Sequence, residues 1–264
     1  MGWFGWDDVG VQVISASDVA WIEPFAGVAP HAFSRLVAQL REAGVDKGRG
    51  RPWKLGLEDR VLLVAAYWRT NLTLRQLAPL FGVSKSAAGR MIADLGPRLA
   101  LTRRAVPGSE AVLIVDGTLV PTRDRTLAAS SKNYRYSTNH QVVIDADTRL
   151  VVAVGRPLPG NRNDCKAWTE SGVAAQVDGH TVIADGGYQG TGLLIPHRRK
   201  PGQDLPAWKE EHNASHRRVR ARVEHTFARL KTWKILRDCR LRGTGVQHAM
   251  TGIAHLYNLD TELA

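Results

Sequence analysis

Residues 111–117 read Ala-Val-Leu-Ile-Val-Asp-Gly, and residues 181–187 read Thr-Val-Ile-Ala-Asp-Gly-Gly. Each segment is a short apolar run that predicts a buried strand, and each run ends at an aspartate followed by glycine. Asp116 and Asp185 are therefore expected at strand ends, where open α/β sheets gather their chemistry. A glycine beside each aspartate allows a ligand or another stretch of backbone to approach closely.

The segments around these two strands predict the rest of a sheet. Residues 141–144 and 150–154 are apolar runs joined by a polar turn, a pattern typical of a hairpin. We expect a helix over about 163–175, a last short strand at 193–195 and a long helix over about 214–235. Adjacent strands, a helix, a further strand and a closing helix predict an α/β fold with a sheet of mixed direction.

Before residue 106 the sequence has a helical character. Residues 57–70 have helical periodicity, and Thr73 with Gln76 fits a capping box for a helix that runs to about residue 81. Gly82 supplies a tight turn, and Ser84 can cap a further helix over 85–99. This pattern predicts a helix-turn-helix at about 57–99 within an N-terminal region 1–105, followed by a second domain over 106–264.

The second helix of a helix-turn-helix presents its first residues to the major groove of DNA. Its outward-facing positions here are expected to be Lys85, Ser86, Gly89 and Arg90. An ordinary helical hairpin can have the same spacing. The net charge of the chain therefore helps to decide between a DNA-binding helix-turn-helix and a hairpin that does not bind DNA.

The charge of the 264-residue chain indicates a polyanionic partner. Lysine and arginine number 36 against 25 acidic residues, for a formal net charge of +11. Residues 198–242 contain 14 basic and five acidic residues and so hold most of the excess. Neutralisation of phosphates explains this concentration better than solubility does, although a solvated basic face is the alternative.

Several classes of protein are excluded by the composition. The longest apolar run, Val61 to Trp68, is far shorter than the ~20 residues that a membrane-spanning helix needs. The N-terminus has no basic segment leading into an apolar stretch, so we expect a cytoplasmic protein. Cys165 and Cys239 are too few for a disulfide framework or a four-thiolate zinc site.

A third carboxylate lies within the basic helix. Glu224 is the one acidic residue between Glu211 and Asp238. Helical spacing places Arg220 and Lys231 on the same face, so the three side chains could serve a metal ion and a phosphate together. As an alternative, Glu224 could form only a surface ion pair with Arg220, and an aspartate after a strand can be a simple turn residue.

Three segments together resemble the DDE transposases of bacterial insertion sequences, most closely the group named for insertion sequence five. They are residues 115–118 (Val-Asp-Gly-Thr), 183–188 (Ile-Ala-Asp-Gly-Gly-Tyr) and 220–231, in which Arg, Glu and Lys follow the spacing of the family signature. The loop 159–164 is also similar to the family's loop after the third strand. Arg217 stands where the family usually has a tyrosine.

The resemblance implies a ribonuclease H-like fold, a mixed sheet flanked by helices, with an N-terminal all-α helix-turn-helix domain. Asp116, Asp185 and Glu224 would bind two Mg²⁺ or Mn²⁺ ions, and the enzyme would nick DNA at the element ends and join them to target DNA. Arg220 and Lys231 would orient the scissile strand. The implied contacts with DNA are Tyr188, Arg217 and Arg218, although packing under the sheet is the alternative for Tyr188.

The implied partners are double-stranded DNA, as terminal inverted repeats and as target, and a second copy of the chain in a homodimer or higher oligomer. The expected location is the bacterial cytoplasm, in association with DNA, with no membrane partner. Two other functions stay open: a helix-turn-helix DNA-binding regulator and a metal-dependent DNA endonuclease without strand transfer. Three matched acidic positions argue against the regulator, whereas the sequence does not separate the endonuclease from a transposase.

Overall fold

The computed structural model describes residues 11–46, 52–100, 107–133 and 136–262. In chain order its helices are α1 (Ile22–Ala26), α2 (Pro30–Glu42), α3 (Leu57–Thr70), α4 (Leu74–Leu80), α5 (Lys85–Ala100), α6 (Asp164–Glu170), α7 (Ala207–Leu230) and α8 (Gly245–Glu262). The strands are β1 (Val112–Pro121), β2 (Ser137–Asp145), β3 (Val151–Val154), β4 (Leu158–Pro159) and β5 (Thr181–Ile183). None of the described helices is long and apolar enough to cross a membrane.

The chain divides into two compact units. The first comprises Met1–Thr102, Trp233–Leu236 and His248–Ala264, and the second comprises Arg103–Thr232 and Arg237–Gln247. The expected boundary at residues 105–106 lies outside the described residues. The segments 233–236 and 248–264, which the sequence analysis grouped with the second domain, belong to the first unit.

Helix α3 forms the core of the first unit. Its bounds match the predicted 57–70, and it is buried on every side from Arg60 to Trp68 rather than along one stripe. Asn71 ends it in a left-handed conformation with φ +53°. Helix α8 packs closely on α3, since a Cβ at Gly252 would lie 2.6 Å from the ring of Trp68.

The helix-turn-helix is confirmed in helices α4 and α5. The Thr73 N–H donates to Gln76 Oε1 at 3.0 Å, and Ser84 Oγ accepts the Ala87 N–H at 3.2 Å. Gly82 makes the turn with φ +59°, a conformation that glycine adopts without steric cost. The inward positions predicted for α5 are all buried, namely Ala88, Met91, Ile92 and Leu95.

The second unit is built on one sheet with the strand order β3-β2-β1-β5 and with β4 paired to β2. Strand β2 is antiparallel to β1, β3 and β4, whereas β1 and β5 are parallel. Since helices α6 and α7 pack against β1, the expected mixed sheet flanked by helices is confirmed. Leu113, Val115 and Val143 pack with Trp168 of α6 and with Tyr188 in one apolar cluster.

Several elements differ from the predictions in their bounds. Residues 193–195 do not form a strand, because Leu194 makes only an isolated bridge to Ile183. Helix α6 ends at Glu170, before Gly172 turns the backbone with φ +74°. Helix α7 begins at residue 207, directly after Pro206, and ends at residue 230 rather than at about 235.

Candidate active site

The register of two parallel strands brings Asp116 and Asp185 together. Ile114 of β1 is paired with Ile183 of β5, and each aspartate lies two residues further along its chain. Asp185 follows the end of β5 as predicted. Asp116 was expected at a strand end, and this was wrong: β1 continues to Pro121 because β2 pairs with it from Leu113 to Pro121. Asp116 is nevertheless beyond the last residue that β5 covers.

Arg220 of helix α7 joins Asp116 to Glu224. Its guanidinium donates to Asp116 Oδ2 at 3.0 Å and to Glu224 Oε1 at 2.5 Å. The side chains of Asp116 and Arg220 are 20% and 23% exposed, whereas that of Glu224 is 56% exposed. The ion pair considered in the sequence analysis is therefore present, but it extends to the first aspartate and is not confined to the surface of the helix.

Lys231 lies at the C-terminal cap of α7 and is half-buried. Burial lowers its pKa, with a smaller lowering from Arg237, while the charge of Asp116 acts in the opposite direction. The Lys231 carbonyl accepts a hydrogen bond from Arg237 Nε at 2.5 Å. The structure thus brings Lys231 into the electrostatic surroundings of Asp116.

A fourth carboxylate, Asp164, lies at the same site. It is the first residue of α6, and its Oδ1 is 3.4 Å from the Gln141 amide nitrogen of β2. Gln141 also donates to Asn139 Oδ1 at 3.1 Å. The segment 159–164 resembles a loop of the family, a likeness that by itself assigns no role to these side chains. The alternation of Asn139 and Gln141 within a strand whose every residue up to Ile144 is buried is the signal that could have found this network.

Tyr188 does not lie on a surface. Its side chain is 1% exposed, and its hydroxyl donates to Gln141 Oε1 at 2.5 Å. The expectation of a ring stacked on DNA is therefore wrong for this structure, and the alternative of packing against the sheet is correct. The ring is buried because Asp185-Gly186-Gly187 turns the chain back under the sheet, with the Gly187 N–H bonded to Asp185 Oδ1 at 2.8 Å.

The predicted DNA-facing residues of α5 fall into two groups. Lys85, Ser86 and Arg90 are exposed. Gly89 is different, because a Cβ at this position would lie 3.3 Å from Leu74 Cδ1, so Gly89 faces α4 and not open solvent. Its small size allows the two helices to approach each other.

Arg217 and Arg218 of helix α7 are both exposed. Arg217 is one turn before Arg220, so it extends the basic surface of the helix beside the carboxylates.

Comparisons with known proteins identify the family of the chain. A family model described as "Transposase DDE domain" matches residues 107–259, which is more than half of the chain. The chain belongs to the DDE transposases. A second family model, "Helix-turn-helix of DDE superfamily endonuclease", matches residues 53–103.

Two relatives span nearly the whole of this transposase. A protein of Streptomyces albus G, described as a proposed transposase for insertion sequence element IS112, is 71% identical over 249 residues, or 94% of this chain and 97% of the relative. A protein of Microchaete diplosiphon, described in similar terms for insertion sequence element IS702, is 28% identical over 90% of this chain and 93% of the relative. No solved structure matches the chain.

The carboxylates of this transposase repel one another. The pKa of Asp116 is raised to about 6, chiefly by burial and in smaller part by the charges of Asp185 and Asp164, although Arg220 and the Gly117 N–H act to lower it. Burial also raises the pKa of Asp164, with a contribution from Asp185. A site that collects this much negative charge is stabilised by a cation.

The donor set suits a hard divalent ion, because Asp116, Asp164, Asp185 and Glu224 offer only carboxylate oxygens. Arg220 already places a positive group between two of them, as a metal ion would. Within the part of the chain that the structure describes, no three His, Cys, Asp or Glu side chains converge into a ready ion cage. DDE transposases generally use a divalent metal ion, and these residues fit that requirement in chemistry and charge.

Proposed function

We propose that this transposase cuts phosphodiester bonds at the ends of its insertion sequence and transfers the resulting 3′ ends into target DNA. Asp116, Asp185 and Glu224 would hold two divalent ions, Mg²⁺ or Mn²⁺. Bound ions of this kind activate a water or a DNA 3′-hydroxyl and stabilise the charge of the attacking and leaving oxygens. The observation that carries the proposal is the equal register of Asp116 and Asp185 beside parallel strands, with Glu224 joined to Asp116 through Arg220.

The basic residues of α7 have separate tasks in this proposal. Arg220 holds the orientation of Asp116 and Glu224 and can donate to a phosphate oxygen when either carboxylate takes another partner. Lys231 is half-buried near Asp116, where its ammonium can bind the scissile strand or an adjacent phosphate. Arg217 and Arg218 are exposed and can neutralise neighbouring phosphates.

We propose that α5 binds the terminal inverted repeats. Lys85, Ser86 and Arg90 are exposed at its N-terminal half, the part of such a helix that enters the major groove. Gly89 serves instead as a packing residue against Leu74. Since the two ends of an element must be cut and joined together, a homodimer or larger assembly on DNA is part of the proposal. Its proposed location is the bacterial cytoplasm, where that DNA lies.

The test uses the full chain and a DNA duplex with the sequences that flank its gene, in the presence of Mg²⁺ or Mn²⁺. Glu224→Gln removes one charge with little change of shape, and Glu211→Gln makes the same change at an exposed position of the same helix. We expect defined nicks with the wild type and with Glu211→Gln, loss of nicking by at least a hundredfold with Glu224→Gln, and similar DNA binding by all three.

Joining is measured separately, by incubation of pre-nicked ends with a supercoiled plasmid. Joined products support a transposase, whereas nicking without joining supports an endonuclease that does not transfer strands. Full nicking by Glu224→Gln would reject the assignment of Glu224. Binding without nicking by the wild type under every metal condition would leave only the DNA-binding function.

A further inference from the structure

Asp164 is directed into the active site by the start of helix α6. Asn163 caps the helix, since its Oδ1 accepts the Lys166 N–H at 3.0 Å and its carbonyl accepts the Ala167 N–H at 2.9 Å. These bonds fix the first turn of the helix, where Asp164 is the first residue. The position of the Asp164 carboxylate is therefore set by the backbone and not by a flexible loop.

Two glycines leave space for this carboxylate. A Cβ at Gly117 would lie 2.7 Å from Asp164 Oδ1, which is closer than real Cβ contacts allow. A Cβ at Gly187 would lie 3.4 Å from Asp164 Oδ2 and 2.9 Å from Asp185 Oδ1. Asp164 and Asp185 therefore both lie beside the space that a Cβ at Gly187 would fill, and Asp164 also lies beside the space that a Cβ at Gly117 would fill.

Amide groups of β2 orient one oxygen of Asp164. Gln141 Nε2 lies 3.4 Å from Oδ1, and the other end of the Gln141 amide accepts the hydroxyl of Tyr188. Because Gln141 is fully buried, its orientation is fixed. The second oxygen, Oδ2, is the one nearer to Gly187 and hence to Asp185.

The charge of this pair is not balanced by the protein. Asp116 and Glu224 share Arg220, but across the described ranges no lysine or arginine forms an ion pair with Asp164 or Asp185. Two adjacent carboxylates in a partly buried site are costly without a cation. The chain has thus placed an additional negative charge beside Asp185 without supplying a positive one.

We propose that Asp164, together with Asp185, holds a divalent ion. This inference rests on the proposed function, because it adds a ligand to the site that Asp116, Asp185 and Glu224 form there. The predicted consequence is that metal affinity depends on Asp164 even when no DNA is present.

The test is Mn²⁺ binding to the full chain without DNA. Binding is measured by isothermal calorimetry and by the decrease in the electron paramagnetic resonance signal of free Mn²⁺. Asp164→Asn removes the charge while its side-chain oxygen can still accept from Gln141. Asp178→Asn is the matched control, since it makes the same change at an exposed residue of the same unit. Asp185→Asn serves as the reference for loss of the site.

We expect Asp164→Asn to weaken Mn²⁺ binding by at least about tenfold, since loss of a mere hydrogen-bonding partner of a metal ligand already costs about ten- to a hundredfold in affinity. Asp178→Asn should bind as the wild type does, and Asp185→Asn should bind at least as weakly as Asp164→Asn. Normal binding by Asp164→Asn together with weak binding by Asp185→Asn would overturn the inference and leave the proposed function intact. Normal binding by both variants would reject the proposed ion site itself.

A measurement on the wild type covers the case in which Asp164→Asn does not fold. Fe²⁺ replaces the divalent ion, and ascorbate with peroxide then generates hydroxyl radicals that cut the backbone next to the bound iron. We expect cuts near residues 164 and 185, both suppressed by excess Mg²⁺. Suppressible cuts near 185 without cuts near 164 would also overturn the inference.

Discussion

Substitution of Tyr188 by phenylalanine separates a structural role from a DNA-binding role. The change removes one hydroxyl and keeps the buried ring, which is 1% exposed. The lost hydrogen bond to Gln141 Oε1 is 2.5 Å long, and Gln141 is itself fully buried. A buried acceptor left without its donor costs about 1–3 kcal/mol, so we expect the free energy of unfolding to fall by that amount.

The assay is urea denaturation followed by tryptophan fluorescence, with DNA binding measured on the same samples. Tyr136→Phe is the control, because it removes the same hydroxyl at a partly exposed site and should change stability by less than about 0.5 kcal/mol. DNA affinity should be unchanged in both variants. Unchanged stability together with weaker DNA binding in Tyr188→Phe would refute the assignment of Tyr188 to the core.

The remaining predictions concern DNA binding and pH. Lys85→Ala combined with Arg90→Ala should weaken binding to the element end, and the slope of log affinity against log salt concentration should fall by the amount expected for about two lost phosphate contacts. Arg98→Ala, at the opposite end of α5, should change neither the affinity nor the slope. Gel shifts at three salt concentrations measure both quantities. Burial lowers the pKa of His140 from 6.5 to about 4, so only the unfolded chain binds this proton between those pH values, and the contribution of His140 to the free energy of unfolding should fall by roughly 3 kcal/mol as the pH drops through that range. Urea denaturation at several pH values should show a flatter profile for His140→Gln than for the wild type, and identical profiles would contradict the burial of a neutral imidazole.

Local sequence signals were sufficient for helices α3, α4 and α5 of the first unit. The capping bonds of Thr73 with Gln76 and of Ser84, and the turn at Gly82, involve only residues a few positions apart. Their effect therefore depends little on the rest of the fold. The length of β1, by contrast, depends on a contact with a distant segment of the chain. Its continuation past Asp116 depends on pairing with β2, a strand that begins 16 residues after β1 ends.

The residues of the site also differ in whether nearby sequence or distant contacts reveal them. Asp116, Asp185 and Glu224 could be nominated because their sequence surroundings are unusual: two follow apolar runs, and one interrupts a basic helix. Asp164 is harder to nominate, because its place in the site depends on contacts with Gly117 and Gly187, which lie 47 residues before it and 23 residues after it.

The sequence by itself determined the fold class and the helix-turn-helix, and it nominated a polyanionic partner and the three carboxylates, since these depend on periodicity, local capping and charge. Only the tertiary structure decided that Tyr188 is buried, that Gly89 packs on Leu74 and that Arg220 joins Asp116 to Glu224. The physical reason is that burial and ion pairing are set by which distant segments the sheet register and helix packing bring into contact. The residue type sets which interactions a side chain can make, and its neighbours in the folded chain decide which of those interactions form.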